Sequence, residues 1–162
     1  MRVLYFSRDY TAHDHRFLSA LAGTDHLIYY LRLERAKNQR EDRALPEHVE
    51  QIQWAGGQKP LRLLDYPALV KDLRRVIRDL QPDIIHAGPI PTCGFMAALA
   101  GSKPLVSMSW GSDLLKEAEQ SAWVRRAVRY TLRHTTILVG DCQAVKDKAV
   151  SFGFPKGRVE LF

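Results

Sequence analysis

At 162 residues, with 46% hydrophobic and 26% charged residues, the chain has an ordinary globular composition and the length for one domain with its own core. Its amino terminus, MRVLYFSRDY, is apolar only from Val3 to Phe6, too short for a secretion signal or a bilayer span, and the expected location is the cytoplasm. The 24 Lys and Arg against 18 Asp and Glu give a net charge of +6, which favours anionic partners and does not bear on the fold.

Val3 to Phe6 predicts a strand, and Thr11, three residues before Asp14, has the spacing of a capping box opening a helix. Phe17, Leu18 and Leu21 share one face of that helix, and Gly23 sits where a left-handed C-cap is wanted. His26 to Leu31 predicts a second strand. The polar stretch from Arg32 to Pro46 shows no long apolar face and predicts a mobile surface loop. Val49 to Trp54 alternates as a third strand and is broken by Gly56-Gly57.

From Asp65 the pattern turns helical. Leu69, Val70, Leu73, Val76, Ile77 and Leu80 recur every three or four residues, until Gln81-Pro82 stops the helix. Asp83 to His86 predicts a short buried strand, and Thr92 to Ala100 a helix of small residues. Leu105 to Met108 (strand), Ala122 to Arg133 (helix), Thr136 to Val139 (strand), Cys142 to Phe152 (helix) and Arg158 to Leu161 (strand) complete the series. Near-continuously apolar strands alternating with helices predict an α/β, Rossmann-like three-layer sandwich with a mostly parallel sheet of six or seven strands.

In that architecture ligands bind outside the carboxyl ends of the strands. Trp110, Gly111, Ser112 and Asp113 follow the strand Leu105 to Met108 at such an end and are candidate substrate contacts. The competing reading is structural: Gly111 makes the turn, Ser112 or Asp113 caps the next helix, and Trp110 is a packing lid. His86, ending the strand DIIH, is a second candidate contact or else a hydrogen-bonded structural residue. His13, Asp14 and His15 are all ligand types, but neighbours at a helix start splay apart, so no metal site is expected there. They are read as polar contacts to substrate at a helix amino terminus, or as a solvated cap. Cys93 and Cys142, without a CxxC or zinc-finger spacing, read as reduced structural thiols.

Arg125, Arg126, Arg129 and Arg133 lie on a helix with no acidic residue from Ser121 to His134, with Trp123, Val124, Val128 and Leu132 as apolar surface. That is either a solvated face or a helix lying on an anionic membrane at the inner face. No helix-turn-helix pattern or aromatic-basic single-strand platform points to nucleic acid.

The units QPDIIHAGP, KPLVSMSWGSDLL and TTILVGDCQAVKDKAVSFGFPKGRVELF, in this order and spacing, resemble the amino-terminal domain of a retaining glycosyltransferase of family 4, of the two-domain GT-B architecture. The resemblance covers essentially the whole chain, taken as one domain, residues 1–162. It implies the acceptor-binding half of an enzyme that moves a sugar from a nucleotide-sugar to a glycan or lipid-linked acceptor. The nucleotide-sugar is then a co-substrate, and no other cofactor is implied. The carboxy-terminal domain, which holds the donor and the family's paired glutamates, is absent from this chain, which is taken as a fragment or an expressed half, inactive by itself. Two features depart from the family pattern. The loop SRDYTAHDHR has no glycine after the first strand, and Trp110 stands where the family commonly has His. Because an indole cannot act as a general acid or base, the catalytic residue is unassigned. The alternative function is a freestanding flavodoxin-like module that binds a phosphate-bearing ligand or a protein partner without catalysis.

Overall fold

In the computed structural model, which describes residues 1–35 and 41–162, apolar runs become strands and periodic segments become helices, within two units, Met1–Ile85 and His86–Phe162.

In the first unit, β1 (Arg2–Ser7) pairs in parallel with β2 (Leu27–Arg32), from Arg2 opposite Leu27 to Ser7 opposite Arg32. β2 in turn pairs in parallel with β3 (Val49–Gln51). Every residue from Val3 to Ser7 is buried, the signature of a strand covered on both faces. Helix α1 (Ala12–Ala22) opens on Thr11, whose side chain accepts from the Asp14 N–H, while the Asp14 carboxylate accepts from the Thr11 N–H, so the expected capping box forms. Helix α2 (Tyr66–Leu80) buries Leu69, Val70, Leu73 and Val76, each such side chain contributing about 1.5–3 kcal/mol. It ends at Gln81, in the left-handed region with φ 47°, ahead of Pro82.

Strand β4 (Ile84–Gly88) leads into the second unit. A wide, π-type turn over Ile90–Gly94 then enters α3 (Phe95–Ala100). Next come β5 (Leu105–Met108), the one-turn helix α4 (Ser112–Leu115) and α5 (Ala122–His134), capped by Ser121 accepting the Val124 N–H. The unit closes with β6 (Ile137–Gly140), α6 (Gln143–Ser151) and β7 (Val159–Leu161). β5, β6 and β7 pair in parallel, with Val106 opposite Ile137 and Leu138 opposite Val159. Leu114, Val128, Leu132, Leu138, Val145 and Phe154 meet in the core of this unit, so the helix after β5 is anchored by Leu114. Within each unit parallel strands alternate with helices, the Rossmann-like α/β arrangement expected.

Several expectations are corrected. Gly23 caps α1 at φ −76°, outside the left-handed region, with its N–H donating to the Ser19 carbonyl and the Thr24 N–H donating to that of Leu21. The third strand stops at Gln51, because Trp54 turns in to donate its indole N–H to the Arg32 carbonyl at 2.7 Å and to meet the Phe6 ring edge-on. The stretch after Arg32 does not leave the fold at once. Leu33 is 1% exposed and donates to the Ser7 carbonyl, and the buried Glu34 donates its N–H to the Arg8 carbonyl, both extending the β1–β2 pairing. The part of the expected mobile loop at residues 36–40 lies outside the described residues.

Candidate functional site

The carboxyl end of β5 is built around one carboxylate. Beyond Met108, Ser109 still donates its N–H to the Val139 carbonyl, and the chain then turns through Trp110 and Gly111. Gly111 has φ 80° and ψ −66°, a conformation that side-chain-bearing residues rarely adopt. Asp113, two residues on, is 1% exposed. Its Oδ1 accepts the Ser109 hydroxyl at 2.7 Å and its Oδ2 accepts the Ile90 N–H at 2.9 Å, from the turn that follows β4. The Ser109 Oγ in turn accepts the Gly111 N–H at 3.1 Å. Ile90 is held from its other side, where its carbonyl accepts the Thr131 hydroxyl of α5 at 3.3 Å. Burial pushes the Asp113 carboxyl above its ordinary range, and the hydrogen bonds from Ile90, Ser109 and Leu114 only partly offset this.

The capping alternative read from the sequence for Asp113 is therefore corrected. It does not cap α4, whose N-cap is Gly111 with no side-chain hydrogen bond, and its carboxylate is turned inward to bind two loops together. Beside it in the loop, Ser112 is exposed and Trp110 half-buried. Asp141, exposed just beyond β6, joins them: its carboxylate oxygens lie 3.5 and 3.6 Å from where a Cβ on Gly111 would sit. The sequence reading missed Asp141, although the rule that singled out Trp110 to Asp113 applies equally to the residue after Gly140.

His86 lies within β4, two residues before its end, rather than at the end itself. Burial pushes its imidazole down to about 4, so the ring is neutral at pH 7. Behind it, Gly88 lets β4 approach β5 closely: a Cβ there would stand 2.5 Å from the Met108 carbonyl oxygen.

In the first unit, His13, Asp14 and His15 do not converge. His13 is exposed. Asp14, 1% exposed, accepts the Thr11 N–H, the Thr11 hydroxyl and the Tyr5 hydroxyl. His15 shares a 2.7 Å hydrogen bond through Nδ1 with the Tyr10 hydroxyl. Among the described residues no group of three His, Cys, Asp or Glu side chains could hold a metal ion. At the carboxyl ends of β1 and β2 the Arg8 guanidinium donates to Glu34 at 2.5 Å, and Arg32 lies 4.0 Å from Asp9. These polar residues were assigned to loops by sequence, because nothing local marks that Glu34 also accepts the Leu61 N–H.

On α5 the expected unopposed arginines are corrected at one position. Arg125 pairs with Glu119, in the turn before the helix, and Glu119 also takes the Lys148 ammonium at 2.6 Å. Arg129 stacks over Phe152 at 5.7 Å, while Arg126 and Arg133 are exposed. Trp123 is 56% exposed and meets the Phe95 ring edge-on. No described helix is long and apolar enough to cross a membrane.

Among solved structures, the chain is similar to Anabaena HepE in complex with UDP, at 17% identity and a TM-score of 0.64, covering 99% of this chain and 43% of that one. It is similar to the UDP-GlcNAc 2-epimerase of Methanocaldococcus jannaschii at 12% identity and a TM-score of 0.65, covering 99% and 45%. The lipopolysaccharide outer core galactosyltransferase WaaB matches at 10% identity and a TM-score of 0.63, again covering 99% and 45%. At these identities the likeness shows the fold, and the chain spans less than half the length of each structure. No curated protein sequence matches it. The sequence profile described as glycosyl transferase 4-like matches residues 2–141, most of the chain, and the chain therefore belongs to the glycosyl transferase 4-like family.

Proposed function

We propose that the chain is the amino-terminal, acceptor-binding half of a retaining GT-B glycosyltransferase. The whole enzyme moves a sugar from a nucleotide-sugar to a glycan or lipid-linked acceptor, and a carboxy-terminal domain outside these 162 residues holds the donor. The observation that carries this reading is the loop after β5 in a chain of this family: a half-buried aromatic ring and an exposed hydroxyl stand on a loop held by the buried Asp113, with the exposed Asp141 carboxylate beside it. The Anabaena neighbour in complex with UDP supports a nucleotide-sugar as donor. The family match weighs against a freestanding phosphate-binding module.

In this reading Trp110 offers an aromatic face for a sugar ring, Ser112 a hydroxyl, and Asp141 an acceptor for sugar hydroxyls. Gly111 supplies the turn, and Asp113 positions the loop from beneath. His86, neutral at pH 7, lies under the same edge and carries no charge to the ligand. In the other unit, His13 and His15 are the polar contacts at the start of α1, and Asp14 is their buried support. Trp123 with Arg126, Arg129 and Arg133 makes a peripheral contact with an anionic inner-membrane face, worth about 1 kcal/mol per basic residue at the surface.

Two measurements test this. Calorimetric titration of the 162-residue chain with UDP-glucose should give binding no tighter than about micromolar, because half of a two-walled site encloses little of the donor. Tight binding by this chain alone would overturn the half-site reading. In the protein carrying both domains, Ser112→Ala with Asp141→Asn should lower sugar transfer about tenfold or more, the size of lost hydrogen bonds to charged groups. Unchanged transfer would remove the loop from the site.

A further inference from the structure

The opposite, amino-terminal edge of the second unit's strands carries a feature that sugar transfer does not use. An open cavity of about 580 Å³ lies where the chain enters β5, where α5 ends, and where the chain enters β6 and β7. Four basic side chains line it, Lys103, Arg133, His134 and Arg158, and no acidic residue does. Among the described residues no carboxylate pairs with any of the four.

Converging cations at a helix carboxyl terminus have a simple structural explanation, since they complement the negative end of the helix dipole. Here that role is already filled. The carbonyls of the last turn of α5 are taken by neighbours: Tyr130 by the His134 Nδ1 at 2.8 Å, Thr131 by the Thr135 hydroxyl at 2.8 Å, and Leu132 by the Thr135 N–H at 3.2 Å. Arg158 is fixed by donating to the Thr135 carbonyl at 2.8 Å and by stacking 5.0 Å over the Phe154 ring. Lys103 and Arg133 have no such employment, yet both face the cavity. Thr136 adds a donor: its hydroxyl oxygen accepts the Leu105 N–H at 3.3 Å, which leaves its O–H for a ligand.

From this arrangement we infer that the amino-terminal edge of β5 to β7 is a second binding site, for a phosphate-class anion, separate from the loops at the carboxyl ends. Arg133 and Lys103 supply the mobile cations, Arg158 and His134 a fixed basic floor, and Thr136 a neutral donor, a combination that suits the several acceptor oxygens of a phosphomonoester or diphosphate. The inference does not rest on sugar transfer, but it shares Arg133 with the membrane face proposed above, whose other residues, Trp123, Arg126 and Arg129, lie outside the cavity.

The test uses inorganic phosphate and pyrophosphate, titrated against the chain and compared with sodium chloride of equal ionic strength, with melting temperature and amide chemical shifts as readouts. Phosphate should bind where chloride does not, with shifts confined to residues near Lys103, Arg133 and Thr136. Lys103→Gln with Arg133→Gln, at exposed positions that leave the unliganded melting temperature unchanged, should weaken binding about tenfold or more. Arg126→Gln, on the same helix but outside the cavity, should leave it unchanged. Cosedimentation with phosphatidylcholine vesicles, with and without phosphatidic acid, separates the sources. Association with the acidic vesicles that the double variant abolishes identifies a lipid headgroup, and phosphate binding without cosedimentation identifies a soluble phosphate. The site is refuted if phosphate acts no differently from chloride, if the double variant binds like wild type, or if Arg126→Gln weakens binding as much.

Discussion

Replacing Asp113 tests the loop architecture directly. If this residue were an exposed helix cap, Asp113→Ala would cost about 1 kcal/mol. In the structure the substitution strands two buried donors at once, the Ile90 N–H and the Ser109 hydroxyl, neither of which has water to turn to beneath a side chain that is 1% exposed. At about 1–3 kcal/mol for each unsatisfied buried group, the expected loss is about 2–6 kcal/mol. With about 2–4 °C per kcal/mol for a chain of this length, that lowers the melting temperature by on the order of 10 °C. Asp113→Asn should fall between. Its carbonyl oxygen can accept the Ile90 N–H, but its amide then faces the Ser109 oxygen and leaves that hydroxyl without an acceptor, a loss of about 1–3 kcal/mol. The charge does not offset this. Burial raises the carboxyl's pKa above the unfolded value, so the contribution of this titration is full below the unfolded pKa and is lost as pH rises through the folded one. Urea unfolding at neutral pH, as a double-mutant cycle with Ser109→Ala, is the assay, and a coupling of about 1 kcal/mol or more is expected. A cost for Asp113→Ala of no more than about 1 kcal/mol, with no coupling to Ser109, would refute the inward-facing carboxylate and restore the capping role.

His86 gives a pH dependence of opposite sign. Its folded pKa, held down to about 4, lies below the ordinary histidine value, so its contribution is full above about pH 6.5 and is lost as pH falls through about 4, up to about 3 kcal/mol. His86→Gln should therefore flatten the wild-type loss of stability over that window, and parallel curves for the two proteins would show the ring to be solvated. Gly88→Ala places a methyl 2.5 Å from the Met108 carbonyl oxygen and should cost about 1–3 kcal/mol by forcing β4 and β5 apart. A neutral outcome in thermal unfolding would contradict that close approach.

The sequence made strands and helices legible where the signal is local and repeated. β5 occupies the expected Leu105 to Met108, and the apolar stripe of α2 is the buried one, because hydrophobic periodicity and burial are two expressions of the same geometry. The Thr11 and Asp14 capping box was legible for the same reason, its partners being three residues apart. Contacts between distant segments were not. The Ile90 N–H that meets Asp113 is 23 residues away, and Trp54 reaches back 22 residues to Arg32, distances at which composition and spacing carry no register. The same limit explains Glu34, whose polarity suggested a surface loop and whose two oxygens are taken by Arg8 and by Leu61, 27 residues on.

Asp14 and Asp113, both read from residue types as candidate ligand contacts, are both buried supports of the loops that carry them. Each stands in the first turn of the helix that follows a strand's carboxyl end, each is 1% exposed, and each accepts at least one hydroxyl and at least one backbone N–H. Burial raises the pKa of both carboxyls in spite of those bonds, so the charged form of neither is favoured by its surroundings. What each provides is several acceptor positions at one point, which hold loop N–H groups and side-chain hydroxyls in one arrangement. Beyond the last ladder bond, from the Ser109 N–H to the Val139 carbonyl, the buried Asp113 carboxylate constrains the backbone that carries Trp110 and Ser112. In both loops the acidic residue that follows the strand is thus the internal support, and the site proposed above rests on the groups beside it, the half-buried Trp110 and the exposed Ser112 and Asp141.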